Sequence, residues 1–384
     1  MLLFGRISVQ KTFLKKGITF AVIVLFIGMI VIPSTGRIPE TVYTVSSDGN
    51  TLYVGGTGNG NYTTIQNAID DASDGDTIFV FNGTYIENVV VNKSINLIGE
   101  DKSITIVDGN NSKCVVKIQA DWVNISKLTL QNGVPVIDIR SNYSTIKGNI
   151  LKLRAVGIDM GMLGSNKTKC NTIIDNIFFN TAPFGSSGID ISDGFNHIVS
   201  NNTIMSSSYE YCYAYGIFLD NASDSIISDN VISGGIDFYD IQISYSSNNI
   251  ISGNKIYGLN KDISYIAISL DVCNNCIVSG NHMTNHEFGI FIFWSDNNQI
   301  VVNSIKNNEN GIIISRSRFN KVKQNNFINN DKNAFFIGLS ILNKWDGNYW
   351  NKSRTLPYCI IGRLVIFSPW INIDWHPASE PYDI

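Results

Sequence analysis

Residues 289–310 read GIFIFWSDNNQIVVNSIKNNEN, and residues 311–333 read GIIISRSRFNKVKQNNFINNDKN. Superimposed, they keep one residue type in one place: Gly289 over Gly311, Ile290 over Ile312, Ile300 over Val322, Asn303 over Asn325. Counting each leading residue as offset 0, the register runs back through Ala267, Asp240, Gly216 and Gly188 and on to Ala334. Offset 1 is Ile189, Ile217, Ile241, Ile268, Ile290 and Ile312, and offset 3 is Ile191, Leu219, Ile243, Leu270, Ile292 and Ile314. Offset 11 is Val199, Ile227, Ile251, Val278, Ile300 and Val322, and offset 16 is Ile204, Ile232, Ile256, Met283, Ile305 and Phe327. Offset 14 is always Asn: Asn202, Asn230, Asn254, Asn281, Asn303 and Asn325. Leading residues are 22 to 28 positions apart, yet the register to offset 16 holds. The extra residues therefore fall after it, in one loop per unit.

Alternation at offsets 1 and 3 describes a short strand with its apolar side inward, leaving offsets 0, 2 and 4 to face out. Offsets 11 and 16 place further inward residues on other strands of the same turn. Such a unit cannot bury its apolar face alone, so units stack about 4.8 Å apart and pair edge to edge. An inward Asn column is tolerable only if each amide bonds its equivalent in the next coil. The pattern predicts an all-β fold, a single-stranded parallel β-helix (solenoid) with an Asn ladder.

Weaker coils are legible at 123–130, 136–151 and 158–178, and back to 95–106. Ahead of them Ile65, Ala68, Ile69 and Ala72 follow i, i+3, i+4, i+7 spacing, predicting a short helix with Thr63 or Thr64 as N-cap. This helix suits a cap over the open end, where unpaired strand edges invite aggregation. From Trp345 onward the repeat gives way to a segment with Trp345, Trp350, Trp370 and Trp375, read as the second cap. The expected organisation is residues 1–36 as export segment, 37–62 as lead-in, 63–345 as solenoid and 346–384 as C-terminal cap.

Composition agrees. Asn and Ile fill more than a quarter of the 384 residues, and charged residues only 16%. A helical enzyme rich in Ala, Leu, Glu and Lys is excluded, as is a disordered chain, since 44% hydrophobic content can bury a large core. The net charge of −4, with no basic block beyond the N-terminus, argues against a nucleic-acid partner. Lys11, Lys15 and Lys16 precede an apolar run at 17–32, describing a secretory signal peptide or a retained membrane anchor. Ten N-x-S/T sequons, among them Asn201, Asn221 and Asn351, fit an extracytoplasmic, secreted or surface location. The six cysteines are too sparse for a disulfide scaffold.

Three stretches carry a family resemblance. Tyr62-Thr63-Thr64-Ile65-Gln66-Asn67-Ala68-Ile69, with Gly75-Asp76-Thr77-Ile78 and Gly83-Thr84-Tyr85, resembles the opening module of pectin-lyase-like right-handed β-helices. The N-x-I-x-x-N-x-I repeats resemble NosD-like proteins, named for a periplasmic copper-maturation factor. The tail, Trp345-Asp346-Gly347-Asn348-Tyr349-Trp350 and Ile373-Asp374-Trp375-His376-Pro377, is similar to the ending of archaeal surface members of that group. The resemblance implies a right-handed coil and leaves activity open, because the superfamily holds lyases, hydrolases, epimerases and proteins without a known reaction.

In enzymes of this fold the substrate lies along the outer face of one sheet, which directs attention to offsets 2 and 4. There Asp190, Asp220 and Asp271 are the candidate catalytic carboxylates, and Phe218, Phe291, Phe293 and the adjacent Trp294 the candidate sugar-stacking surface. Against catalysis, no Arg lies between Gly188 and Val301, and Asp is a common turn residue. Cys273-x-x-Cys276 and His282-x3-His286 resemble a ligand cluster on paper. In the repeat register the cysteines replace small or Asn turn residues and His282 points outward, so no metal and no cofactor is expected. Copper delivery would want clustered soft ligands, and Met160 and Met162 form the one close Met pair. The sequence favours a surface-associated protein binding a polysaccharide or cell-envelope component, or building the envelope. The alternatives are a polysaccharide lyase or glycoside hydrolase and an accessory factor for a copper centre.

Overall fold

The structure, a computed structural model, describes residues 49–161, 167–180, 187–206, 215–234, 239–259, 265–365 and 368–384; the apolar run at 17–32 lies outside them. Each regular coil supplies three strands, such as Phe288–Phe293, Gln299–Val301 and Ser304–Lys306. Like strands of successive coils pair in parallel, with Ile268, Ile290 and Ile312 in register on the long-strand face. Val278, Ile300 and Val322 align on the second face, and Met283, Ile305 and Phe327 on the third. The third face is a 12-stranded sheet. The other two are joined into a 26-stranded sheet by the antiparallel hairpin of Tyr358–Val365 with Ser368–Asp374. The fold is an all-β right-handed parallel β-helix of about 12 turns.

The core follows the columns: the residues at offsets 1, 3, 11 and 16 are all buried. The expectation for offset 0 is corrected. Gly188, Gly216, Gly289 and Gly311 are buried, with Ala267, Ala334 and even Asp240. A Cβ on these glycines would sit 2.4–2.7 Å from a carbonyl oxygen of the next coil. Offsets 0 and 1 both turn inward, so the outer residue before the inward pair is offset −1, as at Tyr215 and Phe288. Strict alternation fails there because the strand leaves a corner, where coil backbones approach too closely for a side chain.

The corners follow a second rule, which the sequence hides. In the coils led by Ala267, Gly289 and Gly311, positive φ recurs at offset 5 (Val272, Trp294, Arg316), 8 (Asn275, Asn297, Phe319), 13 (Gly280, Val302, Gln324) and 18 (Asn285, Asn307, Asn329). Each left-handed residue turns the chain so that the next side chain points into the coil. Those next residues form four internal columns: Cys273, Ser295 and Ser317; Cys276, Asn298 and Asn320; Asn281, Asn303 and Asn325; His286, Asn308 and Asn330. Asn tolerates the left-handed region and also bonds inside it, which accounts for paired Asn at several corners.

The offset-14 column is a continuous ladder that starts upstream of the six expected members, at Asn149 and Asn176, and ends at Asn348. In each step the backbone N–H and the side-chain amide of one Asn donate to Oδ1 of the next, at 2.9–3.1 Å for Asn254 to Asn281, Asn281 to Asn303 and Asn325 to Asn348. The amide also donates back to an offset-11 carbonyl, as from Asn254 to Ile227 at 2.9 Å. The Asn-to-Asn bonds thus all run toward the C-terminal end, which leaves Asn348 in need of an acceptor there. Asp374 supplies it: Oδ2 accepts from the Asn348 N–H, the Asn348 amide and the Trp350 indole, each at 3.0 Å. Its Oδ1 accepts from Gly347 and His376 backbone at 3.2 Å. At the other end the helix Ile65–Asp71 has Thr64 as N-cap, and Glu87 accepts from the Ile65 and Gln66 N–H groups at 2.9 and 3.0 Å.

Candidate functional site on the long-strand face

The long strands carry their outward residues at offsets −1, 2 and 4, in register from coil to coil. Offset 2 reads Asp138, Asp159, Asp190, Phe218, Gln242, Ser269, Phe291 and Ile313. Offset 4 reads Ser192, Asp220, Ser244, Asp271 and Phe293. Asp190 and Asp220 are therefore diagonal neighbours, and Asp220 and Asp271 are two coils apart with Ser244 between them. The three candidate carboxylates share a face but are not one cluster.

A tighter group lies upstream, beyond the clear part of the repeat. Asp138, Asp159 and Asp190 stack on adjacent strands, about 4.8 Å apart along the sheet. Arg140 binds the first two, with Nε 2.5 Å from Asp138 Oδ1 and Nη2 3.1 Å from Asp159 Oδ2. Burial raises the Asp159 pKa, and the Arg140 charge opposes that rise. Among the described residues Asp190 has no such cation. Burial first, then the Asp159 charge, push its pKa up to about 6, against a weak hydrogen bond from the Ser192 hydroxyl at 3.4 Å. An Asp beside an acid-plus-Arg pair is a chemically capable arrangement. The sequence-only reading missed Asp138, Arg140 and Asp159 because it sought an Arg only downstream of Gly188. The signal was the alternation Ile137-Asp138-Ile139, readable once its strand is aligned.

Downstream the face becomes aromatic, then polar, then aromatic again. Phe218 stacks on Tyr215, with ring centres 4.8 Å apart, and Tyr215 stacks on Tyr239 at 5.8 Å. Three strands on, Phe291 stacks on Phe293 at 6.1 Å and Phe293 meets Trp294 edge-on at 6.1 Å. Trp294 is half exposed in a left-handed corner, and the Arg316 guanidinium lies 5.3 Å from its ring centre. Between the two aromatic groups the floor is Gln242, Ser244, Ser269 and Asp271. Gln242 Nε2 donates to Ser244 Oγ at 3.1 Å. Among the described residues, Gln242 Oε1 and Asp271 Oδ1 are buried atoms with no hydrogen-bond partner. Burial raises the Asp271 pKa.

The Cys/His motif does not converge. Cys273 and Cys276 are buried in the Ser and Asn columns, with neighbouring thiols, and Cys273 Sγ donates to the Ile243 carbonyl at 3.2 Å. His282 points outward from the third face, whereas His286 is buried and bonds Asp240 Oδ2 through Nε2 at 2.6 Å. Among the described residues no group of three His, Cys, Asp or Glu is placed to hold one ion. Met160 is core, and Met162 lies outside the described residues. His197, buried in the Asn column, accepts the Asn171 N–H at Nδ1 (3.2 Å), so Nε2 bears the proton and donates to the Thr168 carbonyl at 3.1 Å. Burial lowers its pKa to about 4.

A family model described as periplasmic copper-binding protein (NosD) matches residues 180–366, which include the most regular coils. A cell surface glycoprotein of Methanothermus fervidus is 30% identical over 276 residues, 63% of this chain and 41% of that protein. The chain thus spans well under half the length of this relative. The mannuronan C-5 epimerase AlgE6 A-module of Azotobacter vinelandii has a TM-score of 0.57 at 16% identity, over 83% of this chain and 91% of its own. An alginate lyase from Paenibacillus has a TM-score of 0.55 at 14% identity, over 66% of this chain and 94% of its own. At such identities the two solved structures speak for the fold alone. The chain is a right-handed parallel β-helix, and its residues 180–366 match the NosD family model.

Proposed function

We propose that this is an exported β-helix protein that binds an extended glycan along the outer face of its long strands, as a surface or envelope component. The observation that carries the reading is the column Phe218, Gln242, Ser269, Phe291, with stacked aromatic rings at both ends of a polar floor. Flat rings suit sugar faces. The names of the matched family and of the archaeal relative, one periplasmic and the other a cell surface protein, support an extracytoplasmic setting. The organisation proposed is an N-terminal export segment, the capped solenoid and a C-terminal cap.

A second reading rests on Asp190. A carboxyl with a pKa near 6 beside the Arg140-bound Asp159 could act as a general acid on a glycosidic bond, making the protein a polysaccharide lyase or hydrolase. The test is a glycan-array and polysaccharide-degradation screen of the full chain, alongside Phe293→Ala, Asp190→Asn, Asp220→Ala and Asp271→Ala. Binding without product, weakened by Phe293→Ala, supports the main reading. Product formation abolished by Asp190→Asn supports the second and sinks the first.

A further inference from the structure

The polar floor between the aromatic groups has a definite sign. Among the described residues, the outward positions of the long strands from Ser187 to Phe293 include Asp190, Asp220 and Asp271 and no Lys, Arg or His. Basic residues on this face lie outside that stretch. Arg140 is held by Asp138 and Asp159, and Arg316 lies against the Phe293 and Trp294 rings one coil beyond. The two floor atoms left without partners, Gln242 Oε1 and Asp271 Oδ1, are both acceptors. Gln242 Nε2 donates one of its two hydrogens to Ser244 Oγ at 3.1 Å. From Phe218 to Phe291 the slot crosses three strand spacings, about 14 Å, room for two or three sugar rings.

We infer that the slot selects a glycan that brings hydrogen-bond donors and no negative charge, a neutral or amino-sugar polymer, and disfavours polyuronates. The inference rests on the glycan-binding reading above and adds a charge criterion to it. A uronate carboxylate laid on this floor would meet Asp271 and Asp220, and among the described outward positions of this stretch no cation offsets them. Hydroxyl or ammonium groups bring no like charge to these carboxylates. This separates the slot from the alginate on which the Paenibacillus lyase of the same fold acts.

The test is equilibrium binding of the full chain to four soluble oligosaccharides of matched length: a β-glucan, a chitin fragment, its deacetylated form and a polymannuronate. The expected result is binding of at least one of the first three with at least tenfold preference over polymannuronate. Preference for the deacetylated over the acetylated form, lost at high salt, identifies the amino sugar; equal binding identifies the neutral one. Asp271→Asn should narrow the preference against polymannuronate, whereas Phe293→Ala should weaken every ligand alike. Polymannuronate bound as tightly as the others overturns the charge criterion and leaves the glycan-binding reading standing. No binding to any of the four overturns both.

Discussion

Asn254 and His197 do comparable jobs with different chemistry. Asn254 Oδ1 accepts two donors from Asn230 at 3.0 Å, and its own amide reaches Asn281 and Ile227. Asn254→Leu would leave the two Asn230 donors buried without their acceptor and remove the amide donor from the Ile227 carbonyl, while Asn281 Oδ1 keeps the backbone N–H of residue 254. We expect a loss of about 3 kcal/mol or more by denaturant unfolding; an unchanged melting temperature would contradict the ladder. His197 occupies an Asn place in its neutral form. Its folded pKa of about 4 lies below the ordinary value of 6.5, so the unfolded chain binds the proton more readily. Its contribution is therefore complete above pH 6.5 and lost as pH falls toward 4, up to about 3 kcal/mol. His197→Asn keeps the column and should remove that segment of the stability-versus-pH curve. Parallel curves for the two proteins between pH 4 and 6.5 would refute the assignment. Asp190 titrates in the opposite sense over part of this range, but it is common to both proteins and cancels in the comparison.

At the scale of elements, the C-terminal hairpin is bound to the solenoid by the direction of the ladder. Donors point toward it along the whole column, and Asp374 receives the last of them. Asp374→Ala would orphan the Asn348 and Trp350 donors. It should cost about 3 kcal/mol or more, since three donors are orphaned at about 1–3 kcal/mol each. Hydrogen exchange should show faster exchange in residues 358–374 than in the central coils, a local rather than a global change. Uniform loosening of every coil would argue that the hairpin is not a separate cap. Glu87 serves the opposite end by accepting N–H donors that the first helical turn leaves free.

At the scale of the molecule, each coil meets only its neighbours, so stability is near to a sum of coil and interface contributions. Deleting residues 289–310 joins coils whose columns match, and the product should remain folded with a strand-rich circular dichroism spectrum. It would lack Phe291, Phe293 and Trp294, so glycan binding should fall at least tenfold while the fold survives. Loss of folding would mean that the coils are not interchangeable. The sequence by itself determined the solenoid, its inward columns and the ladder, because a repeat restates the same packing constraint at every turn and the pattern outlasts irregular loops. The register alone also puts Asp220 and Asp271 two coils apart. Tertiary structure alone decided that offset 0 faces inward, since the close approach of two coil backbones leaves no mark on a Gly that is also good at turns. It alone joined Asp138, Arg140 and Asp159 to Asp190. Those residues lie in coils whose repeat is too eroded to align by eye, and only parallel pairing of their strands sets the four side chains on one face.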